Sequence, residues 1–253
     1  MKKISSRQNQ DIKNVTALHK KKERYAQKKF IAEGLRVCNT LLVNNYKLVH
    51  MYVTEKTQRR VHELVSTDKI TLVDDIVMYK MSSVKTPSNI LGVFELPQQP
   101  DTQKIAQHNH QNNSPGLVLA NITDPGNMGT LIRSAAAMNA QHVVIVDGVD
   151  PFSPKVVQAS AGTLAQIDIF QLSWEQLVKN KGNTKLCALV VFGGNKPQEL
   201  NFKNSLLVIG NEAHGIAKKW IDDCEQKLTL PMPGNTESLN AAVAGSIALY
   251  LTL

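Results

Sequence analysis

The sequence predicts an α/β protein, with a mostly parallel sheet in a C-terminal domain and a smaller α/β domain before it. Three observations predict this. Short apolar runs alternate with segments of helical periodicity along the chain, and strands joined through helices pair in parallel. A polar, amide-rich stretch, residues 98–114, interrupts the alternation once and reads as a linker. The chain has 253 residues, and either half is long enough to bury a core. The expected divisions are an N-terminal domain at 1–97, a linker at 98–114 and a second domain at 115–253.

In the first part, residues 11–22 read as a charged helix. Phe30-Ile31-Ala32-Glu33-Gly34 reads as a short strand ending at glycine, and 35–43 carry apolar residues at helical spacing. Residues 48–53 are strand-like, 61–65 helical and 70–73 strand-like, and 90–94 close the domain as a strand. In the linker, His108 and His110 read as part of its polarity rather than as a metal pair. In the second part, strands are expected at 117–121, 142–147, 166–170, 186–192, 206–210 and 227–230. Helices are expected at 129–139, 154–160, 173–180, 216–222 and 238–251. Neither a GxGxxG fingerprint nor a GxxxxGK[ST] loop is present, which argues against dinucleotide and P-loop nucleotide chemistry.

The net charge of +8 is unevenly placed. Residues 1–36 hold 11 of the 29 Lys and Arg and 3 of the 21 acids, so the rest of the chain is balanced. That segment reads as a basic arm able to neutralise phosphates and release counterions, with a solvated basic tail kept for solubility as the alternative. Its candidate nucleic-acid contacts are Lys20, Lys21, Lys22, Arg24, Lys28, Lys29 and Arg36. Cys38, Cys187 and Cys224 form no CxxC pair, so reduced thiols are expected and no metal site. No apolar run approaches the ~20 residues of a membrane span, and the basic, polar N-terminus does not read as a secretory signal. A cytoplasmic protein is expected.

Three segments concentrate polar residues after apolar strands. In the first, Asn121 ends a strand, Asp124-Pro125-Gly126-Asn127 has strong turn chemistry, and Arg133 sits among apolar helix residues and needs a counter-charge. The second is Gly210-Asn211-Glu212, where glycine at a strand end admits a ligand to the backbone. There Glu212 suits a ribose hydroxyl or a helix cap, and His214 reads as an exposed loop residue. In the third, Pro231 to Gly234 stop a strand, and Ser238 stands where a helix N-cap is expected. The following helix is small and apolar almost all round, which calls for burial on several sides, inside the monomer or across a subunit interface.

In this order the three segments resemble the motif set of the SpoU/TrmH family of RNA ribose 2′-O-methyltransferases, within the SPOUT superfamily. The motifs are Asn121 with Asp124–Asn127, Gly129 and Arg133; Gly210 with Glu212; and Pro231, Gly234 and Ser238-Leu239-Asn240. Where the family has Val-Ser-Val-Ala next, this chain has Ala241-Ala242-Val243-Ala244, so a serine hydroxyl is missing at 242. Phe30 to Arg36 looks like the opening of the family's N-terminal RNA substrate-binding domain, which resembles small ribosomal proteins.

The resemblance implies a deep trefoil knot near the C-terminus and S-adenosylmethionine held by the knotted loops near Gly210, Leu230 and Leu239. It also implies a homodimer with the active site at the subunit interface. It implies methyl transfer to a ribose 2′-hydroxyl, with 23S ribosomal RNA as the favoured target. The alternatives are a tRNA target or a non-catalytic RNA-binding or ribosome assembly factor of the same fold. Intact Asn121, Arg133, Glu212, Ser238 and Asn240 argue against the last. Guanidinium stays protonated in proteins, so Arg133 is read as a clamp on phosphate and developing alkoxide rather than as a base. Asn121, Glu212, Ser238 and Asn240 are expected to orient the ribose and the loops.

Overall fold

A computed structural model describes residues 2–106, 115–234 and 238–253. The chain forms two compact units, Met1–Gln98 with Asp150–Ala165, and Gln99–Val149 with Gln166–Leu253.

The first unit is built on a five-stranded mixed sheet. Its strands are β1 (Lys2–Ile4), β2 (Lys29–Glu33), β3 (Leu48–Val53), β4 (Ile70–Val73) and β5 (Ile90–Glu95), in the order β1-β4-β3-β5-β2. β1, β4 and β3 run parallel, and β5 is antiparallel to both β3 and β2. The helices are α1 (Gln10–Ala17), α2 (Lys21–Gln27), α3 (Leu35–Val43), α4 (Gln58–His62) and α5 (Asp75–Met81). The expected charged helix at 11–22 is two helices. Leu18 ends the first, buried beside Ile12 and Val15.

Residues 2–36 are therefore not a free arm. Ile4 pairs into the sheet through Val73, and Ile4, Ile12, Val15 and Leu18 belong to the unit's core. The charge count located the cations correctly, but the apolar residues spaced between them fold the segment in.

Residues 150–165 also leave the expected second domain. Phe152 packs its ring 5.3 Å from that of Phe30, and Asp150 pairs with Arg24, both groups almost fully buried. Ser153 then caps a short helix that packs on β2, and Gly162, at φ +81°, lies against the Val37 carbonyl. Composition gave no sign of this excursion, because it is a helix following a strand like its neighbours.

The second unit holds a six-stranded sheet, all parallel. The strands are β6 (Gly116–Ala120), β7 (His142–Val146), β8 (Asp168–Leu172), β9 (Lys185–Leu189), β10 (Ser205–Ile209) and β11 (Gln226–Leu228), in the order β11-β9-β10-β6-β7-β8. β6, β7 and β10 are buried on both faces, which explains their unbroken apolar sequences. The expected linker contains a short helix. α6 (Gln103–Ala106) buries Ile105 in this unit's core against Leu177 and Leu186. A single apolar residue carried that contact, too little for a periodic signal. His108 and His110 lie outside the described residues. With α8 (Pro154–Ala159) in the first unit, the remaining helices are α7 (Pro125–Ala137), α9 (Trp174–Asn180), α10 (Lys218–Asp222) and α11 (Ala241–Tyr250).

Candidate functional site

The strand order reverses direction between β6 and β10, and ligands in open parallel sheets bind beyond the carboxyl ends of strands at such a point. The loops leaving β6, β9, β10 and β11 meet there, and α11 follows the last of them.

After β6, Asn121 adopts a left-handed backbone at φ 56°, and its N–H donates to the Val146 carbonyl at 2.7 Å. Asparagine is among the residues that tolerate this conformation. Asp124 caps α7 by accepting from the Asn127 N–H at 2.7 Å, and Pro125 fills the first helical position. Asp-Pro-Gly-Asn is thus the first turn of the helix rather than a loop before it, and α7 starts four residues ahead of expectation. Arg133 then lies past mid-helix, exposed, and among the described residues it has no ion-pair or hydrogen-bond partner.

After β10, Asn211 and Gly215 exchange backbone hydrogen bonds at 3.0 and 2.9 Å, closing a tight turn. A Cβ on Gly210 would lie 2.4 Å from the Gly215 carbonyl carbon, so only glycine fits under that turn. The Asn211 side chain accepts from the N–H groups of Ala213 and His214 and donates to the Asn121 carbonyl at 2.9 Å. His214 is exposed, as expected.

Glu212 caps no helix. Its carboxylate accepts from Asn127 Nδ2 at 2.7 Å, and Asn127 Oδ1 accepts from Asn240 Nδ2 at 3.1 Å. Asn240, not Ser238, is the N-cap of α11, accepting from Ala242 and Val243 at 2.9 and 3.2 Å. The cap lies two residues past the expected position, and the Asn240 side chain there both accepts from the helix N-terminus and donates to Asn127. Residues 235–237, inside the third motif, lie outside the described residues.

A cavity of about 360 Å³ opens at the ends of β9, β10 and β11. Gly210, Glu212, Leu230, Ser238 and Leu239 line it. Asn121, Arg133 and Asn240 do not; Asn121 and Asn240 join it through the amide chain just described. Sequence reasoning missed two amides and one apolar wall. Asn127 and Asn211 are the amides that tie the loops together, and both stood inside motifs already noticed. Leu189, Val190 and Val191, after β9, supply another wall; their signal was an apolar run ending in Gly193-Gly194, the same strand-to-loop pattern as the others.

α11 crosses α7 closely. A Cβ on Gly245 would lie 2.5 Å from Leu131 Cδ2, and the Ser134 and Ser246 hydroxyls are 2.7 Å apart. The far side of α11 leaves Val243, Ile247 and Tyr250 exposed at i, i+4 and i+7. Among the described residues no cluster of three metal-ligating side chains occurs, and no helix is long and apolar enough to cross a membrane. Burial pushes the Cys38, Cys187 and Cys224 thiols up to about 12, which leaves them unreactive as nucleophiles.

Residues 115–250 match the model of the SpoU rRNA Methylase family, and residues 9–92 match that of the MRM3-like substrate binding domain. The chain is 29% identical over 255 residues to 23S rRNA (guanosine(2553)-2'-O)-methyltransferase RlmP of Bacillus subtilis, covering 99% of this chain and 98% of that one. It is 29% identical over 210 residues to the 23S rRNA (uridine(2479)-2'-O)-methyltransferase of Streptomyces viridochromogenes, covering 77% and 70%. The crystal structure of an AdoMet-bound rRNA methyltransferase from Sinorhizobium meliloti superposes with a TM-score of 0.87 at 25% identity, covering 99% and 97%. With the strand-end cavity, the amide-linked loops and the three ordered motifs, these likenesses establish that the chain belongs to the SpoU rRNA methylase family.

Proposed function

We propose that this protein is an S-adenosylmethionine-dependent RNA methyltransferase that methylates a ribose 2′-hydroxyl of 23S ribosomal RNA. The observation that carries this is the cavity at the ends of β9, β10 and β11, lined by residues of the second and third motifs in a chain whose full-length relative methylates 23S rRNA. The cavity suits the cofactor. Its volume lies in the range of small-molecule sites. Leu189, Leu230 and Leu239 offer apolar surface to a purine, and the backbone of 210–215 with Ser238 offers polar groups.

Bound there, S-adenosylmethionine supplies an electrophilic methyl group and its own leaving group, so the protein chiefly positions and adjusts charge. Arg133 grips the substrate phosphate and stabilises the negative charge that builds on the 2′-oxygen as its proton passes to solvent water. Glu212, Asn127 and Asn240 hold the loops at fixed separation, and Asn121 and Ser238 orient the ribose. The apolar stripe of α11 supports a homodimer, with Arg133 acting in a site completed at the interface. Membership of the SpoU family supports a trefoil knot in the C-terminal unit, and the reading as a whole fits a cytoplasmic enzyme.

Gly210→Ala should weaken S-adenosylmethionine binding on the order of tenfold, since overpacking costs about 1–3 kcal/mol and the 211–215 turn must open. Calorimetry measures it, and unchanged affinity would take the turn out of the cofactor site. The RNA contacts proposed on α2 and its N-terminal edge are Lys20, Lys21 and Lys22, all exposed, with Lys28 and Arg36 exposed nearby in sequence and Lys29 half-buried. Arg24 leaves this set, because it is buried on Asp150. Replacing Lys20, Lys21 and Lys22 with glutamine should flatten the salt dependence of rRNA binding by about 2–3 units in log–log slope, at ~0.7–0.9 per phosphate contact. A slope equal to wild type would move the RNA path elsewhere.

A further inference from the structure

α5 carries two faces of unequal logic. Val77, Met78 and Met81 enter the core of the first unit, as an amphipathic helix requires. Yet Ile76 and Tyr79, at i and i+3 on the opposite side, are 64% and 65% exposed. With Arg7, Asp75 and Lys80 they line an open groove of about 520 Å³. Scattered exposed apolar side chains are ordinary, but a tyrosine and an isoleucine bracketed by cations in one groove form a composite surface.

Ion pairing decides the sign of that surface. Asp75 is held by Lys56 at 2.7 Å, and Asp74 and Glu55 are held by Lys3 at 3.5 and 3.0 Å. Three carboxylates thus share two lysines, whereas Arg7 and Lys80 have no carboxylate partner among the described residues. The groove and its neighbours carry one net positive charge, with Arg7 and Lys80 beside an exposed aromatic ring. Aromatic faces stack on unpaired bases while cations track the phosphates, and this pairing is the usual design of single-strand sites.

We infer that the Arg7–Ile76–Tyr79–Lys80 groove is a docking site for a single-stranded RNA segment, with Tyr79 stacking on an unpaired base and Arg7 and Lys80 on the flanking phosphates. The inference rests on the RNA-methyltransferase reading and adds a contact point to it. Arg7 and Asp75 follow the carboxyl ends of β1 and β4, and the site uses none of the residues assigned above to the cofactor or to the basic helix.

The test uses the full chain and a fluorescein-labelled twelve-nucleotide single-stranded RNA of mixed sequence, with a duplex of equal length beside it. Tyr79→Ala should weaken single-strand binding about tenfold, and Tyr79→Phe should bind like wild type, because stacking needs the ring and not the hydroxyl. Arg7→Gln with Lys80→Gln should flatten the salt slope by about 1–2 units. Thermal melting should be near wild type in all of them, since these side chains are exposed. S-adenosylmethionine affinity, measured alongside, should not change; if wild type fails to bind the cofactor, the methyltransferase reading is what fails. Three results overturn the inference: Tyr79→Ala binding as wild type, Tyr79→Phe losing as much as Tyr79→Ala, or Tyr79→Ala lowering only the molecular mass in light scattering, which would make the groove a contact between copies.

Discussion

Arg133→Lys is expected to lower methyl transfer on the order of 100-fold while S-adenosylmethionine affinity stays at the wild-type value, the size of effect seen when one donor to a developing oxyanion is removed. Arg133 is exposed on α7, outside the cavity, and has no internal partner among the described residues. A guanidinium left unpaired within the first motif is available to substrate. Lysine keeps the charge but loses the planar fork that engages a phosphate and a ribose oxygen together. Single-turnover rates with saturating RNA measure the loss. A rate within about threefold of wild type would reduce Arg133 to a general positive charge.

Arg24→Gln is expected to destabilise the first unit by about 3–5 kcal/mol, the cost of leaving one member of a buried ion pair alone. Arg24 donates through Nε and Nη2 to Asp150 and through Nη1 to the carbonyls of Leu18 and His19 at 2.8 and 2.9 Å. Tyr25 adds a hydroxyl bond to Asp150 at 3.1 Å. Glutamine cannot fill these positions, and the Asp150 carboxylate would stay buried without its cation. Urea denaturation measures the change, and pairing Arg24→Gln with Asp150→Asn should restore part of it. A loss under about 1 kcal/mol would mean that water reaches the pair.

Much of this was legible in the sequence where one signal dominated. The apolar runs of β6, β7 and β10 announce central parallel strands because both faces are buried, and 35–43, 48–53 and 70–73 match their elements end for end. Of the motif residues, Gly210, Glu212, Ser238 and Leu239 line the cavity, and Asn121 and Asn240 reach it only through the amide chain. What was hidden was tertiary. Arg24 looked like one more cation in a basic segment, and only the fold brings Asp150, 126 positions later, against it. Asn240 looked like a ribose ligand, and its oxygen is occupied by the N-terminus of α11. Ile105 looked like an isolated apolar residue in a linker and is a core residue.

Methyl transfer to a ribose oxygen of 23S rRNA is testable in a single reaction. Purified protein, S-adenosylmethionine and unmodified 23S rRNA are incubated, the RNA is digested to nucleosides, and the methylated product is identified by mass spectrometry. The expected result is a single 2′-O-methylated nucleoside that accumulates toward one per RNA and is nearly absent over the same time with Arg133→Lys. Methylation on a base, or no transfer to 23S rRNA by protein that binds the cofactor, would contradict the account.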